Sequence, residues 1–358
     1  MDGQAGEPIR RFGGFDVLRI VAALAVILSH SFALTGNADD RLQFSVGHYR
    51  VPLGTLGVSI FFVVSGFLVA KSWDRTEQAR VFVRHRFARI WPALTLVVVL
   101  TVAVLGPLVT TASLGSYVGS SRTILYLGRN VVLFAGTINQ LPGVFLDNPV
   151  KSVNGSIWTL TYEVWAYVGV LALGVWGGLR RWWTPVVVLG LLLVFFRVAV
   201  YGGTGGLPIT RSVLGLTLAD GSELWSYFFA GVVLSRVARH GDVRRLALPG
   251  ALLVGAAFVV GEPVLYILGI AALVIGIGAF GGRFTDGVHR LGDPSYGIYI
   301  FAWPVQQLVY AGDIARTPWA MFVTVGLIST VLGYVSWHFL ERPITQWAKR
   351  RPSGTLAV

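Results

Sequence analysis

The sequence predicts an all-α protein, a polytopic membrane bundle of about ten transmembrane helices. Of its 358 residues, 54% are apolar and only 13% are charged. Apolar runs close to the roughly 20 residues that cross a bilayer recur along the whole chain. These runs leave no room for a sizeable soluble domain, so we expect residues 1–358 to form a single membrane domain.

The individual helices are predicted from apolar runs bounded by Gly, Pro and charged residues. The predicted spans are 16–35, 56–72, 91–110, 157–176, 183–201, 223–239, 246–260, 264–280, 293–311 and 319–340. The first run follows two arginines and lacks a small-residue cleavage site, so we expect a retained helix. A shorter apolar run at 124–135 is too short to span comfortably, and we expect a re-entrant or interfacial segment there.

Membrane topology accounts for the basic excess of the chain, whose formal net charge is +12. With ten spans and an inner amino terminus, 21 of the 29 Lys and Arg residues fall on inner segments. This is the asymmetry of cytoplasmic loops, so nucleic-acid binding is an unnecessary hypothesis. We expect a multi-pass protein of the cell's inner or plasma membrane with both termini cytoplasmic. Cysteine is absent, which excludes disulfides and thiolate metal sites.

The first span, DVLRIVAALAVILSHS, carries two polar residues that need a physical reason. Arg19 and His30 are eleven positions apart, which puts both on one helix face about 16 Å apart. An ionisable side chain at membrane depth marks a site or a pathway by default; a neutral, packed histidine is the alternative. Asp16 lies three residues before Arg19, and we expect it to pair with that arginine or to join it in binding substrate.

The fourth span, which begins SIWTLTYEVWAY, contains the one carboxylate placed well inside a predicted span, that of Glu163. Counted from the ends of their helices, Glu163 and His30 both lie roughly 8–9 Å below the outer surface. We expect the carboxylate to fix the tautomer of the imidazole, which leaves the other ring nitrogen free to take a proton from a hydroxyl. A buried ion pair that only joins two helices is the alternative.

An arginine cluster, consisting of Arg84, Arg86 and Arg89 in the stretch FVRHRFARIWP, follows the second span. Guanidinium groups beside the membrane suit a multiply charged phosphate ligand, because each can make bidentate bonds to phosphate oxygens. Topological anchoring by inner-side charge is the alternative. Together with Arg19, the cluster indicates a substrate-binding region at the inner face.

The second span, GVSIFFVVSGFLVAKSW, contains Ser65 and Gly66 in an otherwise bulky run. Small residues let helices approach closely, so packing is the favoured role for this pair. Ser65 is assigned to the substrate-binding set and not to catalysis. The sequence has no GxSxG, GxxxxGK[ST] or HExxH motif, and we expect no metal site.

Taken together, these stretches resemble the acyltransferase 3 family of integral-membrane acyltransferases. The resemblance covers nearly the whole chain and is carried by the Arg19-x10-His30 pattern, the second span, RHRFAR, SIWTLTYE, PSYGIYIFAWPV and HFLERPI. It implies that acyl groups pass from cytoplasmic acyl-CoA to hydroxyls of sugars or other acceptors. It also implies that His30 is essential, that Glu163 with Trp158 belongs to the site, and that the arginine cluster handles acyl-CoA.

The chain departs from the pattern of this family at three positions. Ala302 precedes Trp303 where many relatives have a histidine, which removes a second base from that helix. Val164 and Ala166 replace commoner polar and aromatic neighbours of Glu163. These changes leave the transfer reaction intact and leave the identity of the acceptor open.

The expected function is therefore O-acyl transfer, in which an acyl group, acetyl being favoured, moves from acyl-CoA to a sugar or glycan hydroxyl. His30 would act as general base, with a covalent acyl-histidine relay as a variant. No bound cofactor is expected, and acyl-CoA is the donor. Two alternatives remain: a secondary transporter that uses His30 and Glu163 as a proton path, and an acyltransferase whose acceptor is a cytoplasmic small-molecule glycoside.

Overall fold

The computed structural model describes residues 13–40, 42–201, 212–213 and 215–350. Within these ranges the chain is mainly helical and has only four short strands, which confirms the predicted all-α bundle. The first half contains α1 (Gly13–Leu34), α2 (Leu53–Thr76), α3 (Ala79–Leu100), α4 (Gly106–Val109), α5 (Leu114–Gly119), α6 (Ser121–Val132) and α7 (Trp158–Val175). The second half contains α8 (Trp183–Tyr201), α9 (Leu218–Val237), α10 (Ala247–Val260), α11 (Pro263–Gly278), α12 (Arg283–Leu291), α13 (Ser295–Ala311), α14 (Pro318–Ser336) and α15 (Arg342–Lys349).

Each of the ten predicted spans overlaps a helix of 14 or more residues. Among the described residues, seven helices are long and apolar enough to cross a membrane. An eighth is added if α11 and α12, which meet at an angle of 91°, count as one broken span. Two predicted spans fall outside this count: α9 carries Asp220 and Glu223 in its first turns, and α13 has 17 residues. The chain is thus a multi-pass membrane protein by helix length and composition.

The candidate site extends between two ends of the bundle. The start of α3 defines the arginine end, because it carries the arginine cluster, and the last turns of α1 define the histidine end, because they carry His30. At mid-depth α2 packs tightly against α9 through facing glycines. A Cβ on Gly66 would lie 1.9 Å from the Phe228 carbonyl oxygen, and one on Gly231 would lie 2.2 Å from that of Val63. Close packing, the role favoured for Gly66, is therefore what the structure shows.

The histidine end is covered by irregular structure. An antiparallel hairpin of β1 (Gln43–Val46) and β2 (Tyr49–Pro52) joins α1 to α2, and a shorter hairpin of β3 (Ser212–Val213) and β4 (Leu216–Thr217) precedes α9. The loop 133–157 is held down on α13, because Gln307 donates to the carbonyl of Val150 at 2.7 Å and Asn154 donates to that of Ile300 at 3.1 Å. The side chain of Asn148 also donates to the side chain of Gln307, at 2.6 Å.

The segment predicted to be re-entrant or interfacial at 124–135 forms most of α6 and the turn after it. This helix has 12 residues, and Thr123, Tyr126 and Asn130 are its buried positions. Apolar side chains such as Ile124 and Val132, which are 64% and 54% exposed, lie on its outer face. An apolar outer face on a short helix suits the membrane interface, so the interfacial assignment stays a prediction that this geometry favours.

Candidate active site

Three cavities lie in a row through the bundle. An arginine chamber of about 430 Å³ lies at the arginine end, a middle space of about 40 Å³ follows, and a histidine chamber of about 330 Å³ lies at the other end. Arg19 and Arg89 line both the arginine chamber and the middle space. Val58, Thr159 and Tyr299 line both the middle space and the histidine chamber. The cavities therefore follow one another along a single path.

His30 lines the histidine chamber near the end of α1. Its ring meets the ring of Trp303 edge to face, with centroids 4.6 Å apart. Its Nδ1 atom is enclosed and has no hydrogen-bond partner among the described residues. The predicted base thus lies where two helices and a cavity meet, with one ring nitrogen shielded.

Glu163 lies in the middle space and not beside His30. Its Oε1 atom accepts hydrogen bonds from Ser65 at 2.8 Å and from Tyr167 at 2.5 Å. The expected hydrogen bond between His30 and Glu163 is therefore wrong, because the structure gives the carboxylate other partners. Ser65, assigned to substrate binding, instead holds this carboxylate from α2 and lines the arginine chamber.

The recessed start of α7 accounts for this difference. Tyr299 on α13 donates to the Ser156 carbonyl at 2.9 Å, so α7 begins at the level of Tyr299. His30 contacts Trp303, which lies one turn further along α13. One helical turn is about 5.4 Å, and the loop before α7 occupies that extra depth. Glu163 therefore lies deeper than its distance from the end of its own helix indicates.

Asp293 connects the two arginines at the junction of the arginine chamber and the middle space. Its Oδ2 atom accepts from Arg19 at 2.7 Å and from Arg89 at 2.7 Å, and Glu341 lies 4.0 Å from Arg89. Ser295 donates to the other oxygen of Asp293. Arg19 and Arg89 were expected to bind donor phosphate, but each already has a carboxylate partner, so we assign them to this junction.

The other members of the arginine cluster differ in position. Arg86 lines the arginine chamber, where its guanidinium lies 5.6 Å from the centre of the Tyr167 ring and 3.5 Å from Ser72 Oγ. Arg84 is absent from the lining of that chamber and donates instead to the Arg350 carbonyl at 3.2 Å. The expected grouping of Arg84 with Arg86 around one ligand is therefore not what the structure shows.

The arginine chamber is strongly basic. Its described lining contains no Asp or Glu. The basic and titratable side chains of the lining are those of Arg19, Lys71, Arg75, His85, Arg86, Arg89 and Lys349. A cavity with several cations and no lining carboxylate suits a ligand with several phosphate charges.

Asp16 was expected near Arg19 as a pairing or substrate-binding residue. Its carboxylate instead lies 2.6 Å from Nδ1 of His289 on α12. It is absent from the described linings of the three cavities. Asp16 therefore joins α1 to α12, and the structure gives no support to a direct substrate contact.

Comparison with known proteins identifies the family. A family model described as an acyltransferase domain matches residues 12–338. The chain belongs to this acyltransferase family. It is similar to an O-acetyl transferase of Shigella phage Sf6 (27% identity, covering 92% of this chain and 94% of that protein) and to nodulation protein 10 of Rhizobium leguminosarum bv. viciae (27%, 92% and 92%). It is also similar to the exopolysaccharide production protein ExoZ of Rhizobium meliloti strain 1021 (28%, 85% and 93%). No solved structure matches the chain.

Family membership confirms the resemblance drawn from the sequence motifs, and with it the prediction of an O-acyltransferase. Among the described residues of the acyltransferase there is no group of three or more His, Asp or Glu side chains that could hold a metal ion.

Sequence analysis of the acyltransferase missed two further acids in the histidine chamber. Asp220 and Glu223, in the first turns of α9, line it together with Trp158, which the sequence did assign to substrate binding. Asp220 precedes the predicted span 223–239, and Glu223 is its first residue. An acid at the end of a helix is common and does not by itself indicate a functional site. The sequence signal for these two acids is their spacing of three residues, which puts both side chains on one face of a helix.

Proposed function

We propose that the acyltransferase moves an acyl group, with acetyl favoured, from acyl-CoA to a hydroxyl of a sugar or glycan. The observation that carries this proposal is the row of cavities, with a basic chamber at one end and an imidazole at the other. The names of the phage O-acetyl transferase and of ExoZ support acetyl as the group and a polysaccharide as the acceptor.

The donor would enter at the arginine end. Its nucleotide phosphates would bind the cations of the arginine chamber, among them Arg86, Arg75 and Lys349. The thioester would extend past the Arg19 and Arg89 junction toward His30. Arg19 and His30 are eleven residues apart on α1, which is about 16 Å along the helix axis. The pantetheine arm of CoA is long enough for this reach.

His30 would take the proton of the acceptor hydroxyl on Nε2, because Nδ1 is enclosed. The hydroxyl oxygen would then attack the thioester carbonyl, and collapse of the tetrahedral intermediate would release CoA as its thiolate. The proton held by His30 then returns to the thiolate or to solvent. A general base in this position contributes about 10²–10⁴ in rate.

The orientation of the protein in the membrane is part of the same proposal. We place the arginine end at the cytoplasmic face of the inner or plasma membrane, with both termini cytoplasmic, because acyl-CoA is cytoplasmic and the inner segments hold 21 of the 29 basic residues. The 358 residues would act as one domain. The alternative of a proton-coupled transporter uses His30 and Glu163 as a proton path, and the structure shows no direct hydrogen bond between these two side chains.

The experiment uses purified protein in detergent with acetyl-CoA and a panel of glycosides. We expect acceptor-dependent release of free CoA thiol and a product heavier than the glycoside by the mass that one acetyl group adds. His30→Ala is expected to lower the rate by at least about 10²-fold while the protein still inserts and purifies as a folded species. His240→Ala, an exposed histidine outside the cavities, is the matched control. Full turnover by the His30 variant would refute the role of this base.

A further inference from the structure

The histidine chamber contains two carboxyl side chains as well as the imidazole. Asp220 and Glu223 both line it, three residues apart on α9. Its described lining contains no Lys or Arg. The ion pairs of the described residues include neither of these carboxylates. The two acids therefore face a cavity without a cation to compensate them.

Each acid has one oxygen held by the protein and one without a hydrogen bond among the described groups. Tyr49 donates to Oε1 of Glu223 at 2.7 Å. Thr217 donates to Oδ2 of Asp220 at 2.5 Å and caps the start of α9. Oε2 of Glu223 and Oδ1 of Asp220 remain as hydrogen-bond acceptors. Neither of these oxygens is fully enclosed, so a ligand that enters the chamber can donate hydrogen bonds to them.

An aromatic ring completes the chamber. Trp158, the first residue of α7, is 39% exposed and lines the same cavity as the two acids. Its ring meets that of Tyr162 edge to face at 5.6 Å, which fixes its orientation. A tryptophan face offers apolar contact to the C–H face of a pyranose, while carboxylates accept hydrogen bonds from the hydroxyls at its rim.

We infer that the histidine chamber is the acceptor subsite and that it selects a neutral sugar over an anionic one. This inference rests on the proposed function. The sugar would lie on Trp158 with a hydroxyl donating to Glu223, and a second hydroxyl would point at His30. A carboxylate on the sugar would instead meet the like charge of Asp220 beside the carboxyl group of Glu223. Like charges brought together at an interface are strongly disfavoured.

The experiment compares matched pairs of acceptors that differ only at C6. Methyl β-glucoside is paired with methyl β-glucuronide, and methyl β-galactoside with methyl β-galacturonide. Direct binding to the protein in nanodiscs is followed by saturation-transfer NMR, and turnover with acetyl-CoA by release of CoA thiol. We expect at least one neutral glycoside to bind and to be acetylated, with kcat/KM at least about 10-fold above that of its anionic partner.

Charge removal tests the assignment to these two acids. In the double variant Asp220→Asn, Glu223→Gln the preference for the neutral sugar should fall to within about 2-fold, because the amides keep their shape and lose the charge. Glu262→Gln is the matched control, since Glu262 pairs with Arg197 outside the three cavities, and it should keep the full preference.

The outcomes separate this inference from the proposed function. Binding of neither sugar, equal binding of both, or an unchanged preference in the double variant would overturn the acceptor assignment. Selective binding of the neutral sugar without any CoA release would support the subsite and overturn acyl transfer to it. Selective binding with selective acetylation, lost together in the double variant, supports both.

Discussion

At the scale of single residues, Gln306 on α13 contacts α1 at positions on either side of His30 in the sequence. Its amide donates to the Ile27 carbonyl at 3.0 Å and to the Ser31 hydroxyl at 2.9 Å. Its Oε1 atom is buried and has no partner among the described residues, which is also true of Nδ1 of His30. Buried polar atoms are rarely unpaired in folded proteins. We therefore expect Gln306 to be a positioning residue that orients the imidazole through Nδ1–H when the acceptor is bound.

Gln306→Leu tests this role. We expect kcat to fall about 10-fold, because a base that is not oriented transfers protons poorly. The KM for acetyl-CoA should change little, since the arginine chamber lies at the other end of the bundle. Gln306→Glu keeps an acceptor oxygen and should retain more of kcat than the Leu variant. Equal kcat values for the wild type and the Leu variant, measured by CoA release, would contradict the assignment.

Individual residues also mark the limit of what the sequence predicts. His30 and Glu163 stand out in the sequence as polar groups inside apolar helices, because burial of such groups needs a reason. Each was predicted to be the other's partner, and that prediction is wrong. The partners of Glu163, Ser65 and Tyr167, come from α2 and from its own helix, and a depth counted along one helix contains no information about its neighbours.

At the scale of elements, the contact between α2 and α9 depends on two glycines. Gly66→Ala should destabilise the protein by about 1–3 kcal/mol, because its methyl group would collide with the Phe228 carbonyl on the facing helix. Gly255→Ala is the control, since that exposed position in α10 has nothing within 4 Å of an added Cβ. We expect it to be neutral or slightly stabilising. Thermal midpoints in detergent, followed by size-exclusion chromatography, measure both, and equal midpoints for the two variants would contradict this packing role.

The helices themselves were largely predictable, because a run of apolar residues long enough to cross a bilayer is seldom anything but a transmembrane helix. Asp293, which holds Arg19 and Arg89 together, was not predicted, because it begins a predicted span and resembles an ordinary acid at a helix end. Its significance arises when α1, α3 and α13 converge. Convergence of three separate segments is a tertiary property that local sequence patterns do not contain.

At the scale of the whole molecule, the arginine chamber and the histidine chamber divide the reaction between the two ends of the bundle. Arg86→Ala should raise the KM for acetyl-CoA about 10-fold or more, which is the effect of losing a charge-assisted hydrogen bond to phosphate. The KM for the acceptor should remain unchanged, since that ligand binds at the other end.

Arg84→Ala is the matched control for this prediction, because Arg84 belongs to the same helix and lies outside the lining of the chamber. We expect its KM for acetyl-CoA to stay within about 2-fold of the wild type, because this half-buried guanidinium contacts a backbone carbonyl and not the donor. Higher ionic strength should weaken donor binding in the wild type more than in the Arg86 variant. Equal KM values in the two arginine variants would refute the assignment of Arg86 to the donor.

The narrow middle space has a consequence for the energy balance of the cell. At about 40 Å³ it has room for a few water molecules at most, at roughly 10–15 Å³ each. Two cationic side chains and one carboxylate stand at its entrance. Hydrated sodium and potassium ions are too large for such a passage, so a bilayer filled with this enzyme would keep its gradients of these ions at rest, and the side chains around the middle space must move apart before the pantetheine arm of the donor can pass.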